Sequence, residues 1–126
     1  MKALTRSEWL LLMAALSAGV LWHRDAVSWT RFAIAFAAID VVGYLPGALA
    51  FRRAGGSAIA PVFHWLYNAT HNFVTAALAA AVWTLAAGGP EWAMLALPIH
   101  LAGDRGVFGN GFKPSAEPFE TAAVHP

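Results

Sequence analysis

Phe63-His64-Trp65-Leu66-Tyr67-Asn68-Ala69-Thr70-His71-Asn72 sets a group of hydrogen-bonding side chains inside a segment that is otherwise almost wholly apolar. On an α-helix, positions i, i+4 and i+7 return to nearly one azimuth, so His64, Asn68 and His71 form a single polar stripe that Thr75 extends. Read as one helix, the segment runs from about residue 58 to 87, with Pro61 in its first turn where proline is tolerated. That length is enough to cross a bilayer, and a polar stripe there must face polar partners. The rest of the chain offers Asp40, His100 and Asp104.

Working outward, composition sets the compartment. Hydrophobic residues make up 59% of the 126-residue chain and charged residues 12%, and the mean hydropathy is +0.55. Soluble domains carry about 25% charged residues, so these values describe an integral membrane protein. A net charge of +1 with dispersed Lys and Arg leaves no basic face for nucleic acid. The absence of cysteine excludes disulfides, thiolate clusters, a cysteine nucleophile and palmitoylation. It leaves open a metal held by His and carboxylate.

On the N-terminal side, Lys2 and Arg6 precede an apolar run bracketed by Trp9 and Trp22, read as a first helix over about 7–24. The same pattern resembles a secretory signal, but further apolar segments follow and the tryptophans sit where interface anchors belong. A second helix over about 29–51 carries Asp40 at its middle, Tyr44 one turn on, and Pro46, which predicts a kink. After Gly88-Gly89-Pro90, a fourth helix over about 91–107 carries His100, Asp104 and Arg105. The expectation is an all-α, four-helix transmembrane bundle over 1–108, followed by a Gly/Pro-rich tail over 109–126. Lys2, Arg6, Arg52, Arg53, Arg105 and Lys113 fall on one side of it, which predicts cytoplasmic N and C termini. At 1.5 Å per residue, Asp40 and His71 then lie roughly 18–20 Å along their helices from the cytoplasmic end. His64 lies nearer that end, and the polar residues define a pocket in the cytoplasmic half.

Ile39-Asp40 with Gly43-Tyr44, then Tyr67-Asn68-Ala69-Thr70-His71, then His100-Leu101-Ala102-Gly103-Asp104-Arg105 and Gly109-Asn110-Gly111-Phe112-Lys113 together carry a resemblance. The chain resembles the family of small bacterial membrane proteins catalogued as domain of unknown function 4260. That resemblance covers nearly the whole chain and implies a four-helix, multi-pass protein of a bacterial-type inner membrane, with no activity assigned. Asp40, Tyr67, Asn68, His71, His100, Asp104, Arg105, Gly109, Gly111 and Lys113 match the family's pattern. Ile39 stands where a proline is usual, Asn110 and Phe112 where Tyr and Leu are, and the later element survives only as Phe119-Glu120-Thr121. His64 is an addition to the pattern.

Three functions suit these residues. Asp40, His71, His100 and Asp104 are a mixed nitrogen and oxygen set suited to zinc, iron or manganese, with His64 as a further candidate ligand. In an enzyme built on that set, Asp40, His71, Asp104 and Arg105 are the catalytic candidates. Tyr67, Asn68, Arg105 and Lys113 would then hold substrate or orient ligands. A proton or small-solute pathway uses the same imidazoles as relay groups. A structural subunit uses the polar groups only to join helices, at about 0.6 kcal/mol per bond. The expected partners are the lipid bilayer and, as an open alternative, a second copy of the chain.

Overall fold

A computed structural model describes residues 2–120. Thr121, the end of the family-like tail element, and His125 lie outside the described residues. The described chain is all-α, with no strand among the described residues. Helix α1 spans Ala3–Trp22, and a short 3-10 turn leads from it to α2, Trp29–Arg53. The Ser28 hydroxyl caps the start of α2 by accepting from the Arg31 backbone N–H at 3.4 Å. Helix α2 is interrupted at Tyr44 into Trp29–Gly43 and Leu45–Arg53, just before Pro46, which has no N–H to give the helical ladder. Helices α3 (Pro61–Thr70), α4 (Phe73–Ala87) and α5 (Ala96–Gly106) complete the fold.

Two differences from the sequence expectation matter for function. The segment 58–87 is not one helix: α3 and α4 meet at His71–Asn72 with a 59° bend. Thr75 therefore does not extend the stripe. The cause is Asn72, whose Oδ1 accepts from Thr75 N at 2.8 Å and starts a new helix. Its Nδ2 donates to the carbonyls of Asn68 at 2.8 Å and Ala69 at 3.0 Å, and Thr75 Oγ1 donates to Ala69 O at 2.5 Å. Backbone groups freed by the bend thus keep partners, the condition for breaking a helix away from water. The segment 91–107 is likewise divided, into a 3-10 turn over Trp92–Leu95 and an 11-residue α5. Pro98 fits only in a first helical turn, so the α-helix begins just ahead of it.

Helices α1 and α2, of 20 and 25 residues, are each long and apolar enough to cross a membrane, and the bent pair α3–α4 is a third candidate span. Large side chains such as Leu11, Trp22, Val74, Leu78 and Leu85 are exposed along these helices, which suits a lipid environment. Helix α5 lies at the centre, with Ala96, Leu97, Ile99, His100, Leu101 and Ala102 buried. Arg6 ties α1 to its end by donating to the carbonyls of Gly106 at 3.2 Å and Val107 at 2.6 Å.

The segment after α5 packs back onto the bundle. Phe119 is 1% exposed among Tyr44, Ala48, Phe51, Phe63 and Tyr67. Gly47 makes the seat, since a Cβ there would run into the Phe119 ring. The Tyr44 hydroxyl donates to Glu120.

Candidate metal centre

Asp40 comes from the middle of α2, His71 from the bend, and His100 and Asp104 from successive turns of α5. Gly43 lets the bend approach α2, because a Cβ there would collide with Thr70 Oγ1 and crowd the His71 ring. The result is a cluster in which one ligand atom from each of the four residues lies within 4.8 Å of every other. Both imidazoles are 3% exposed, the Asp104 side chain 18% and the Asp40 side chain 48%, so the cluster opens to its surroundings on the Asp40 side.

The second nitrogen of each imidazole decides what the first can do. His100 Nδ1 lies 2.7 Å from the Phe36 carbonyl, and His71 Nδ1 lies 3.0 Å from the Tyr67 carbonyl and 2.9 Å from Thr70 Oγ1. A carbonyl only accepts, so each Nδ1 carries the hydrogen and each Nε2 is turned to the carboxylates. His71 Nε2 is 3.1 Å and His100 Nε2 3.2 Å from Asp40 Oδ1. From Asp104 Oδ2 the same nitrogens lie at 3.7 Å and 3.2 Å. A neutral imidazole so held points a lone pair at carboxylate lone pairs, and only a cation between them, a proton or a metal ion, makes that contact favourable.

The distances suit a metal. Zinc takes nitrogen and oxygen ligands at about 2.0–2.1 Å in a tetrahedron, which holds neighbouring ligand atoms about 3.3 Å apart. Asp104 Oδ2 adds a second sign, being buried without a hydrogen bond among the described residues. A proton satisfies one well-aligned acceptor, whereas a metal ion uses lone pairs from every side. Two carboxylates, two neutral imidazoles and a divalent cation sum to zero charge, the state that an apolar bilayer tolerates best. The four residues could therefore hold a metal.

Of the remaining predicted residues, Tyr67 alone is in described contact with a cluster ligand. His64 stands apart from it, buried against Phe119 with ring centroids 5.4 Å apart, and its Nδ1 has no partner among the described residues. Two turns of helix put it on the face of His71 but at another depth. Tyr67 stacks on His71 with centroids 3.8 Å apart. Asn68 faces the returning chain, donating to Lys113 O at 2.9 Å and accepting from Lys113 N at 2.7 Å. The Lys113 ammonium donates to Phe119 O at 2.6 Å and lies 4.8 Å from the Tyr67 ring centre, and burial there lowers its pKa from the usual lysine range. The Arg105 guanidinium lies over Trp9 and Phe73, at 4.7 Å and 5.2 Å.

Sequence reasoning passed over Thr70, whose hydroxyl touches His71, and the Phe36 carbonyl, which a sequence cannot display. It also passed over Asn72 as a helix start, although an Asn immediately before the apolar run from Phe73 carried that signal. No family model matches the chain, and neither a curated protein nor a solved structure matches it.

Proposed function

We propose that this is a multi-pass membrane protein that binds a divalent transition metal, zinc, iron or manganese, through Asp40, His71, His100 and Asp104. The observation that carries the reading is the convergence of two Nε2 atoms and two carboxylate oxygens, with Asp104 Oδ2 left without a hydrogen bond among the described residues. The half-exposed Asp40 marks the side from which water or a small substrate would reach the ion, which would act there as a Lewis acid. Tyr67 and Thr70 serve as positioning residues, and Arg105 and Lys113 as charges near the site. The excess of basic residues at one end supports cytoplasmic termini in a bacterial-type inner membrane. Kinship with the domain of unknown function 4260 family belongs to the same proposal and rests on the matched positions from Asp40 to Lys113.

Purified in mild detergent, the protein should retain about one transition-metal ion per chain by elemental analysis, and His71→Ala and Asp104→Ala should lose it while remaining folded. Background metal in a folded wild-type sample overturns the reading. The bend favours a second one, cation transport: a half-helix ending at the cluster turns its negative dipole end toward a cation, as broken transporter helices do. That reading expects metal or proton flux into proteoliposomes, abolished by Asp40→Asn, and falls if no gradient drives flux.

A further inference from the structure

On the side of α2 away from Asp40 lies an apolar groove of about 500 Å³ between α2 and α4. Ala38 and Val42 form one wall, Ala79 and Trp83 the other, and Leu97 of α5 the floor. The groove has two unlike ends. At one, Thr70 and Thr75 turn their hydroxyls to the carbonyls of Leu66 and Ala69, so no polar group waits there for a partner. At the other, Arg31 lines the groove, its guanidinium donating to Glu91 at 2.5 Å while Trp83 Nε1 donates to the second Glu91 oxygen at 2.5 Å. One guanidinium N–H is used in this way, and the side chain is 59% exposed.

The unlike ends select the occupant. From Arg31 to Val42 the groove runs roughly 16 Å along α2. An apolar trough with a cation at one end only matches an acyl chain that carries an anionic headgroup. Exposed Trp29 and Trp92 stand beside Arg31 and its partner Glu91 in the chain, and exposed Trp22 adjoins His23, which stacks on Trp92, the level at which aromatic belts meet headgroups. We infer that the groove holds one acyl chain of an anionic membrane phospholipid, with its phosphate on the free N–H groups of Arg31 and its methyl end toward Thr70. This binding site is separate from the metal cluster and does not depend on an ion being there.

Native mass spectrometry of the full chain released from detergent, with phosphatidylglycerol or phosphatidylcholine added, tests the assignment. Wild type should retain one phosphatidylglycerol per chain, in preference to phosphatidylcholine by about twofold to fivefold, the upper figure being the scale of one basic residue near a headgroup and Glu91 sharing part of the Arg31 charge. Arg31→Gln should erase the preference while chain binding persists. Ala79→Phe, at an exposed groove wall where a larger side chain does not disturb the core, should lower retention of both lipids at least tenfold, and Ala38→Phe should repeat the result from the opposite wall. Wild-type retention in both Phe variants overturns the site. So does a wild-type oligomer that either Phe variant converts to monomers, since the groove would then be covered by a second copy.

Discussion

Thr70 holds its hydroxyl 2.9 Å from both His71 Nδ1 and the Leu66 carbonyl, so it donates to the helix while accepting from the imidazole. Thr70→Val keeps the shape and removes the acceptor. It should lower metal affinity about tenfold, the usual scale for a group that orients a ligand, in a chelator-competition titration. Gly43→Ala attacks the same place sterically and should cost about 1–3 kcal/mol in detergent unfolding, because its Cβ meets Thr70 and His71. Asp40, His71, His100 and Asp104 were legible in the sequence because ionisable groups are conspicuous in apolar runs. Thr70 was not, since a threonine satisfies itself on the preceding helical turn and looks neutral. His64 was placed on the stripe because azimuth repeats every seven residues, while the Phe119 that covers it comes from a segment no local pattern connects to α3.

At the scale of elements, the bend between α3 and α4 depends on one side chain. Asn72→Ala removes the cap on Thr75 N and the donors to Asn68 and Ala69. A lost cap alone costs about 1 kcal/mol, and the Asn68 carbonyl, which loses its donor, adds to it, whereas Ala69 O keeps Thr75 Oγ1. The expected outcome is a lower unfolding midpoint together with reduced metal retention, because His71 sits at the turn itself. An unchanged midpoint would mean that α3 and α4 keep their angle through packing alone. Of the four expected spans, hydropathy made α1 and α2 legible and the bent pair as a third candidate, while the segment that holds α5 is not among the candidates; it hid the break, because neither Gly nor Pro marks it. Pro46 did mark the interruption of α2, whereas the late start of α5 ahead of Pro98 departs from the single helix expected over about 91–107.

Across the whole molecule, the two ends are held by different chemistry. At one, Glu91 accepts from Trp83 and Arg31, which lowers its pKa below the usual carboxylate range. A lowered carboxylate pKa stabilises the folded state above the unfolded value of about 4.3 and loses that contribution as pH falls through the folded value. Unfolding midpoints should therefore drop on acidification below about pH 4.3, and Glu91→Gln should flatten that limb. At the other end, Phe119→Ala should cost about 3–5 kcal/mol and open the Pro114–Pro118 region to limited proteolysis. The sequence reads this region as a polar tail because its composition is Gly, Pro and charge. A single aromatic side chain placing itself in a seat formed by Gly47 leaves no periodic trace.

That seat also sets an order of events during synthesis. Translation runs from N to C terminus, so Gly47, Tyr44 and Tyr67 leave the ribosome well before Phe119, and the aromatic hollow they form stays open until the segment beyond α5 has been made. A nascent or truncated chain therefore displays an unfilled aromatic surface that the finished chain hides, a difference that a quality-control protease or chaperone could read as incomplete.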